Sequence, residues 1–296
     1  MNGRTFEELR DLGEAAVQAG RLEEAEALFD QALSLAQEHG EPCQIDLGIC
    51  NRAAVRIAMG RGESELSRLR EILLRNAHPP NCQLAAYNIS WHYDLVKNYK
   101  KSLFYARIAL ERAETLGRHD WIASTHNRIG NVLLAESFVD EACRQYEMAL
   151  TLMPQDNSVW RARILDNLGY CRVLQRRYPE GYRLLFESLR VLRRFEAERY
   201  LVSTLLDLSF AHIETGHFPH AVRHAADALR IADRTEQPDS VKNALYLLGE
   251  AANLSGDTEA AQEHFARLQQ DFFPDASYLP SFLMSVDIRK MINLHA

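Results

Sequence analysis

The chain has 296 residues, 47% of them hydrophobic and 25% charged, and its 34 Lys and Arg against 41 Asp and Glu leave a formal charge of −7. That is the composition of an ordinary water-soluble chain able to bury a large core. The acidic balance argues against a dedicated nucleic-acid or anionic-membrane binder, and no apolar run reaches the roughly 20 residues that span a bilayer.

The N-terminal stretch from Met1 to Leu9 has no apolar run that could serve as a secretory signal. The five cysteines, Cys43, Cys50, Cys82, Cys143 and Cys171, are odd in number and have no CxxC spacing. Free thiols in a reducing cytoplasm are expected.

In chain order, helical hydrophobic periodicity recurs with small residues at fixed offsets. The first unit, residues 5–39, has Leu12-Gly13 and Ala16, then Ala25, Phe29 and Ala32. The second, 43–76, keeps the period through Ile49, Ala53, Ile57, Leu66, Leu69 and Leu73 but blurs the small-residue pattern. Pro79 and Pro80 fall in the stretch expected to close it as a linker. The third, 81–117, has Ile89-Ser90 and Tyr93, then Ser102, Ala106 and Ala109. The fourth, 120–154, is the sharpest, with Ile129-Gly130 followed by Ala142, Tyr146, Ala149 and Pro154. Gly130 and Ala142 allow two helices to approach closely, and the larger side chains fill the space beside them. The fifth (158–194), sixth (198–235) and seventh (238–271) repeat this around Gly169 and Gly181, Ser209 and Ala221, and Gly249 and Ala261. No sustained strand alternation occurs, and a period of about 40 residues signals a helical solenoid. Phe282, Leu283, Val286, Ile288, Met291 and Ile292 read as a last helix over about 278–295, covering the open end of the array.

The order Leu-Gly, then Ala-x-x-x-aromatic-x-x-Ala, then Pro resembles the tetratricopeptide repeat, in a variety longer than the usual 34 residues. The resemblance implies an all-α fold: a right-handed superhelix, or α-solenoid, of about seven helical hairpins plus a C-terminal capping helix. The whole of 1–296 is read as one such array. First helices would line a concave groove that holds a partner protein or an extended peptide.

By that analogy the residues three before and one after each small residue face the groove. They are Arg10 and Glu14, Tyr87 and Trp91, Asn127 and Asn131, Asp166 and Tyr170, Leu206 and Phe210, and Tyr246 and Glu250, with Asn88 and Asn167 beside them. Amide side chains suit a peptide backbone, and aromatic faces suit apolar side chains or arginine. The competing reading packs Tyr87, Trp91 and Phe210 between adjacent repeats. A second aromatic stripe, Trp121, Trp160 and Tyr200, reads first as a spine joining repeats and second as a ligand contact.

The basic clamp by which some repeats of this kind grip acidic C-terminal tails is missing. Asn131 and Asn167 match its asparagines, but its cationic positions are Asn127, Ser203 and Asp207. No phosphate loop, HExxH, GxSxG or dinucleotide fingerprint occurs, so no catalytic residues and no cofactor are assigned. His217, His220 and His224 lie on a second helix and read as a solvated face, not a metal site. Arg172, Arg176, Arg177 and Arg183 form a candidate patch for an acidic partner, and the acidic first repeat could pair with it in a second copy. The leading reading is a non-enzymatic, cytoplasmic, bacterial scaffold or adaptor. The alternative is a peptide-sensing subunit acting on a separate signalling enzyme or transcription factor, with its output on another chain.

Overall fold

The computed structural model describes residues 4–154 and 158–295. Among them the regular structure is helical, with no strand. In chain order the helices are α1 (Phe6–Gln18), α2 (Leu22–His39), α3 (Pro42–Ala58), α4 (Leu66–Arg75), α5 (Pro79–Leu95), α6 (Tyr99–Thr115) and α7 (His119–Ala135). Then come α8 (Val139–Leu152), α9 (Val159–Leu174), α10 (Tyr178–Arg194), α11 (Glu198–Glu214), α12 (Phe218–Arg234), α13 (Pro238–Ser255), α14 (Thr258–Phe272) and α15 (Leu279–Ser285). They pair as seven antiparallel hairpins followed by α15. Contacts divide the chain into two compact units, residues 1–132 and 133–296.

Local chemistry explains the boundaries. Thr5 accepts from the Glu8 amide while the Glu8 carboxylate accepts from the Thr5 amide, so two orphan donors at the start of α1 are satisfied. Within each hairpin the turn uses one left-handed residue: Gly20, Gly60, Lys97, Ser137, Arg176, Gly216 and Gly256, about 40 residues apart. The next amide reaches back to a carbonyl five residues earlier, as in Arg21 to Ala16, Asn98 to Tyr93 and Asp257 to Ala252. This closure satisfies the last helical carbonyls and turns the chain sharply. Pro79 and Pro80 do not act as a linker; they open α5, where a missing amide hydrogen costs nothing.

The small residues sit where helices of a hairpin meet. A Cβ on Gly13 would lie 2.5 Å from the Phe29 ring, and one on Gly249 would lie 2.4 Å from the Phe265 ring. Ala25, Ala53, Ala106, Ala142, Ala221 and Ala261 are fully buried in the same role. In the second hairpin the blurred pattern has a physical counterpart. A 3₁₀ turn, Gly62–Glu65, precedes a shortened α4, and a buried ionic cluster takes over part of the packing. Arg52 pairs with Glu65 (3.0 Å) and Asp30 (3.2 Å), and Arg56 pairs with Glu65 (2.5 Å) and Glu26 (2.7 Å).

The C-terminal segment departs from expectation. The capping helix stops at Ser285 and packs on α14, and Val286 is extended. Asp287 ends the helical run by accepting the Arg289 amide (3.0 Å) and its guanidinium (2.7 Å), a local bond that competes with the next helical turn. The chain from Arg289 to His295 then lies across the first helices of the second unit.

Candidate functional site

Residues 293–295 touch four successive first helices. Asn293 Nδ2 donates to the Leu134 carbonyl of α7 at 2.7 Å, and the Leu294 amide donates to the Tyr170 hydroxyl of α9 at 3.1 Å. Asn243 Nδ2 of α13 donates to the Leu294 carbonyl at 3.1 Å, and His295 Nε2 lies 3.0 Å from the Asp207 carboxylate of α11. The His295 ring stacks on Tyr170, centroids 4.5 Å apart. Further back, Arg289 reaches Glu250 (3.4 Å) and Glu214 (3.5 Å). A short segment, a 3₁₀ turn at Arg289–Met291 followed by a turn at Leu294 and His295, thus lies on this face through both backbone and side-chain groups.

The electrostatics follow from burial beneath the segment. Asp166 and Asp207 are both buried and close enough to repel. Burial, then the Asp207 charge, push Asp166 up to about 7. Burial also raises Asp207, with His295 opposing the rise. For His295, burial works against the charged form, but the Asp207 carboxylate outweighs it and holds the imidazole above its ordinary value. Glu250 is raised to about 7 by burial, held back by Arg289. The face is therefore acidic and calls for cations, the opposite of a basic clamp.

The residues expected to face an open groove divide by unit. In the second unit Asp166, Tyr170, Phe210, Tyr246 and Glu250 are on this face, but they are buried. Tyr170 and Asp207 meet the segment directly, and Arg289 covers Glu250. Asn167 is half-buried beside them. In the first unit Asn88 is buried and donates to the Cys50 carbonyl at 2.8 Å, so it ties α5 to α3 instead of facing solvent. Asn127 is buried as well, while Asn131 is half-buried. Tyr87 and Trp91 flank the Arg128 guanidinium, 5.1 and 5.5 Å from the ring centroids, and Asp94 pairs with it at 2.9 Å. That is the packing between neighbouring repeats that the competing reading described, with a buried cation as its centre. Trp91 also borders a cavity of about 270 Å³ with Val17, Leu22, Phe29, Asn51 and Ala54.

The aromatic stripe is a cation–π series. Arg118 lies over Trp121 at 4.4 Å, and Arg163 lies between Trp160 (5.2 Å) and Tyr200 (4.3 Å), joining α9 to α11. The basic patch is largely neutralised. Arg172 is buried against Glu147, Gln175 and Glu180, and Arg177 pairs with Glu180 at 2.6 Å. Arg183 is exposed near Glu187 (3.8 Å), and Arg176 is exposed at the left-handed turn. In the acidic first repeat, Glu26 is engaged by Arg56 and Arg61 and Glu24 by Arg21.

Of the three histidines expected on a solvated face, His217 and His220 are exposed, but the third is not. His224 is buried and stacks on His212 at 5.4 Å, and Tyr182 bonds His212 at 3.0 Å. Burial first, and then the neighbouring His224, His220, His217 and Arg223, depress His212 to about 4; burial with Arg223 and Arg193 does the same for His224. Among the described residues no group of three His, Cys, Asp or Glu is arranged to hold a metal ion, and no helix is long and apolar enough to cross a membrane. All five cysteines are free.

Sequence reasoning missed the segment from Arg289 to His295 and the part played by Glu214. The only signal was charge: a line of carboxylates at Asp166, Asp207 and Glu250 on successive first helices, facing an unexplained Arg and His near the end of the chain.

The tetratricopeptide-repeat family model matches residues 9–39, which span α1 and α2. No curated protein matches the chain. Among solved structures it is similar to a Rap protein complexed with competence and sporulation factor (14% identity, TM-score 0.71, covering 90% of this chain and 74% of that one). It is also similar to aspartyl phosphate phosphatase F from Bacillus subtilis (14% identity, TM-score 0.61, 100% and 97%). A third is PilW, a type IV pilus biogenesis factor (20% identity, TM-score 0.60, 81% and 99%). Identities this low speak for the fold alone. The matched first hairpin, the seven-fold recurrence of its turn and the shared helical fold together support a tetratricopeptide-repeat protein.

Proposed function

We propose that the first-helix face of the second unit binds an extended segment of a partner protein or a free peptide, and that the chain is a non-enzymatic, cytoplasmic interaction module. The observation that carries this reading is the chain's own residues 293–295, held by Tyr170, Asn243 and Asp207 through backbone and side-chain groups together. Tyr170, Asn167, Asp166, Phe210 and Tyr246 are its contact residues. In the first unit Trp91 and the cavity beside it offer an apolar anchor. A phage-displayed peptide library panned on the full chain tests this, with selected peptides titrated by calorimetry. Asp166→Asn and Tyr170→Phe should each weaken binding by about tenfold, the size expected for a lost buried polar contact, while Arg183→Ala leaves it unchanged. Failure to select any peptide, or peptides indifferent to the Asp166 and Tyr170 variants, would overturn the reading.

The second reading, a peptide-sensing regulatory subunit, draws on the same segment, since a covered face has two states, occupied from within or from without. The likeness in fold to a Rap protein complexed with competence and sporulation factor is consistent with it.

A further inference from the structure

The segment Arg289–His295 has the marks of a ligand more than of a core. It is held at two charged points, Arg289 on Glu214 and Glu250 and His295 on Asp207. Between them Lys290 and Met291 are exposed and contribute little packing. The fit is also incomplete. Asp166 Oδ1 and the Tyr246 hydroxyl are buried with no hydrogen-bond partner. A cavity of about 200 Å³ remains between Arg289, Ile292 and the α9 and α11 side chains Val173, Leu174, Phe210 and Glu214. Buried polar groups in a permanent core are nearly always paired, so unsatisfied ones beneath this segment point to an occupant that pairs them.

We propose, building on the peptide-binding reading above, that Arg289–His295 is bound to this face as a ligand in cis, and that the partner is a cationic peptide that displaces it. The partner carries cations placed as Arg289 and His295 are, six positions apart. An arginine in place of the imidazole is the better second cation. Its forked donors can serve Asp207 and the free Asp166 oxygen together, where the single Nε2 of His295 serves Asp207 alone. A larger apolar side chain than Ile292 would occupy the cavity beside Phe210.

The test uses the full chain and two fluorescent peptides, one with the sequence of residues 286–295 and one with arginine in place of His295. Wild-type chain is compared with the Arg289→Glu/His295→Glu variant, whose own segment is repelled by Glu250 and Asp207. The variant should bind both peptides at least about tenfold more tightly than wild type, because no internal competitor must leave. The arginine-bearing peptide should bind tighter than the parent, and adding Asp166→Asn should remove that advantage. Circular dichroism checks the fold, and Arg289→Ala/His295→Ala serves in its place if the double glutamate variant loses helicity. Equal affinity of wild type and variant overturns the inference. So does failure of both peptides to bind while library-selected peptides do, an outcome that leaves the peptide-binding reading standing. Failure of every peptide, selected ones included, sinks both.

Discussion

At the residue scale the informative side chains are buried carboxylates. Asp166 keeps one oxygen paired to Ser203 (2.9 Å) and the other unpaired, beside the Asp207 charge. An unfolded aspartate titrates near 3.9, while burial moves Asp166 up to about 7 in the fold. Between those values the folded chain holds the proton more tightly, so stability falls as pH rises through the window. Asp166→Asn, which removes the charge and little volume, should match the wild-type melting temperature at pH 4 and exceed it by several degrees at pH 8. A variant that melts below wild type at pH 8 would mean that the pairing of His295 with the acidic pair outweighs the repulsion within it. His212 and His224 titrate with the opposite sign. With folded values near 4 against about 6.5 unfolded, they stay neutral in the fold, and their stabilisation is lost as pH falls from 6.5 toward 4.

At the scale of the element, the hairpin works because one position in its first helix carries nothing that obstructs the second. Phe265 lies across Gly249, and a methyl group there would stand 2.4 Å from the ring. Gly249→Ala should cost about 1–3 kcal/mol, the range for overpacking a filled core, and lower the melting temperature by several degrees. Gly20→Ala is the control. Its Cβ meets nothing within 4 Å, but its φ of +74° still penalises a side chain, by roughly 1 kcal/mol. A melting temperature unchanged by Gly249→Ala would show that Phe265 swings aside and that the small residue is not what sets the approach. Both the small-residue positions and the hairpin count were legible in the sequence, because helix contacts of this kind repeat at fixed spacing. The turn residues were less so. Lys97, Ser137 and Arg176 take the left-handed conformation that glycine takes in the other hairpins, and nothing in their side chains announces it. The end of the last helix was misread because its apolar residues keep a helical period through Ile292, whereas the local bonds of Asp287 to Arg289 stop it at Ser285.

At the scale of the whole molecule, charge governs approach. Acidic residues outnumber basic ones by 41 to 34, and the candidate face gathers several of these carboxylates in one place. A cationic peptide should therefore associate with a rate constant that falls by roughly tenfold between 50 and 500 mM salt, while its dissociation rate changes little. Stopped-flow fluorescence separates the two, and a salt-independent association rate would rule out electrostatic steering.

The sequence by itself determined the all-α class, the number of hairpins and the close helix contacts, since each depends on residues within one repeat of each other. It also showed which residues project from first helices, but not what they meet. Tyr87 and Trp91 are engaged by Arg128, 41 and 37 positions away, and Asp207 by His295, 88 positions away. Such partners are brought together by stacking and by the return of the chain across the first helices, so no local pattern encodes them. Only the tertiary structure decided that the acidic face of the second unit is already occupied, because a segment's resting place depends on the charges of elements far from it in sequence.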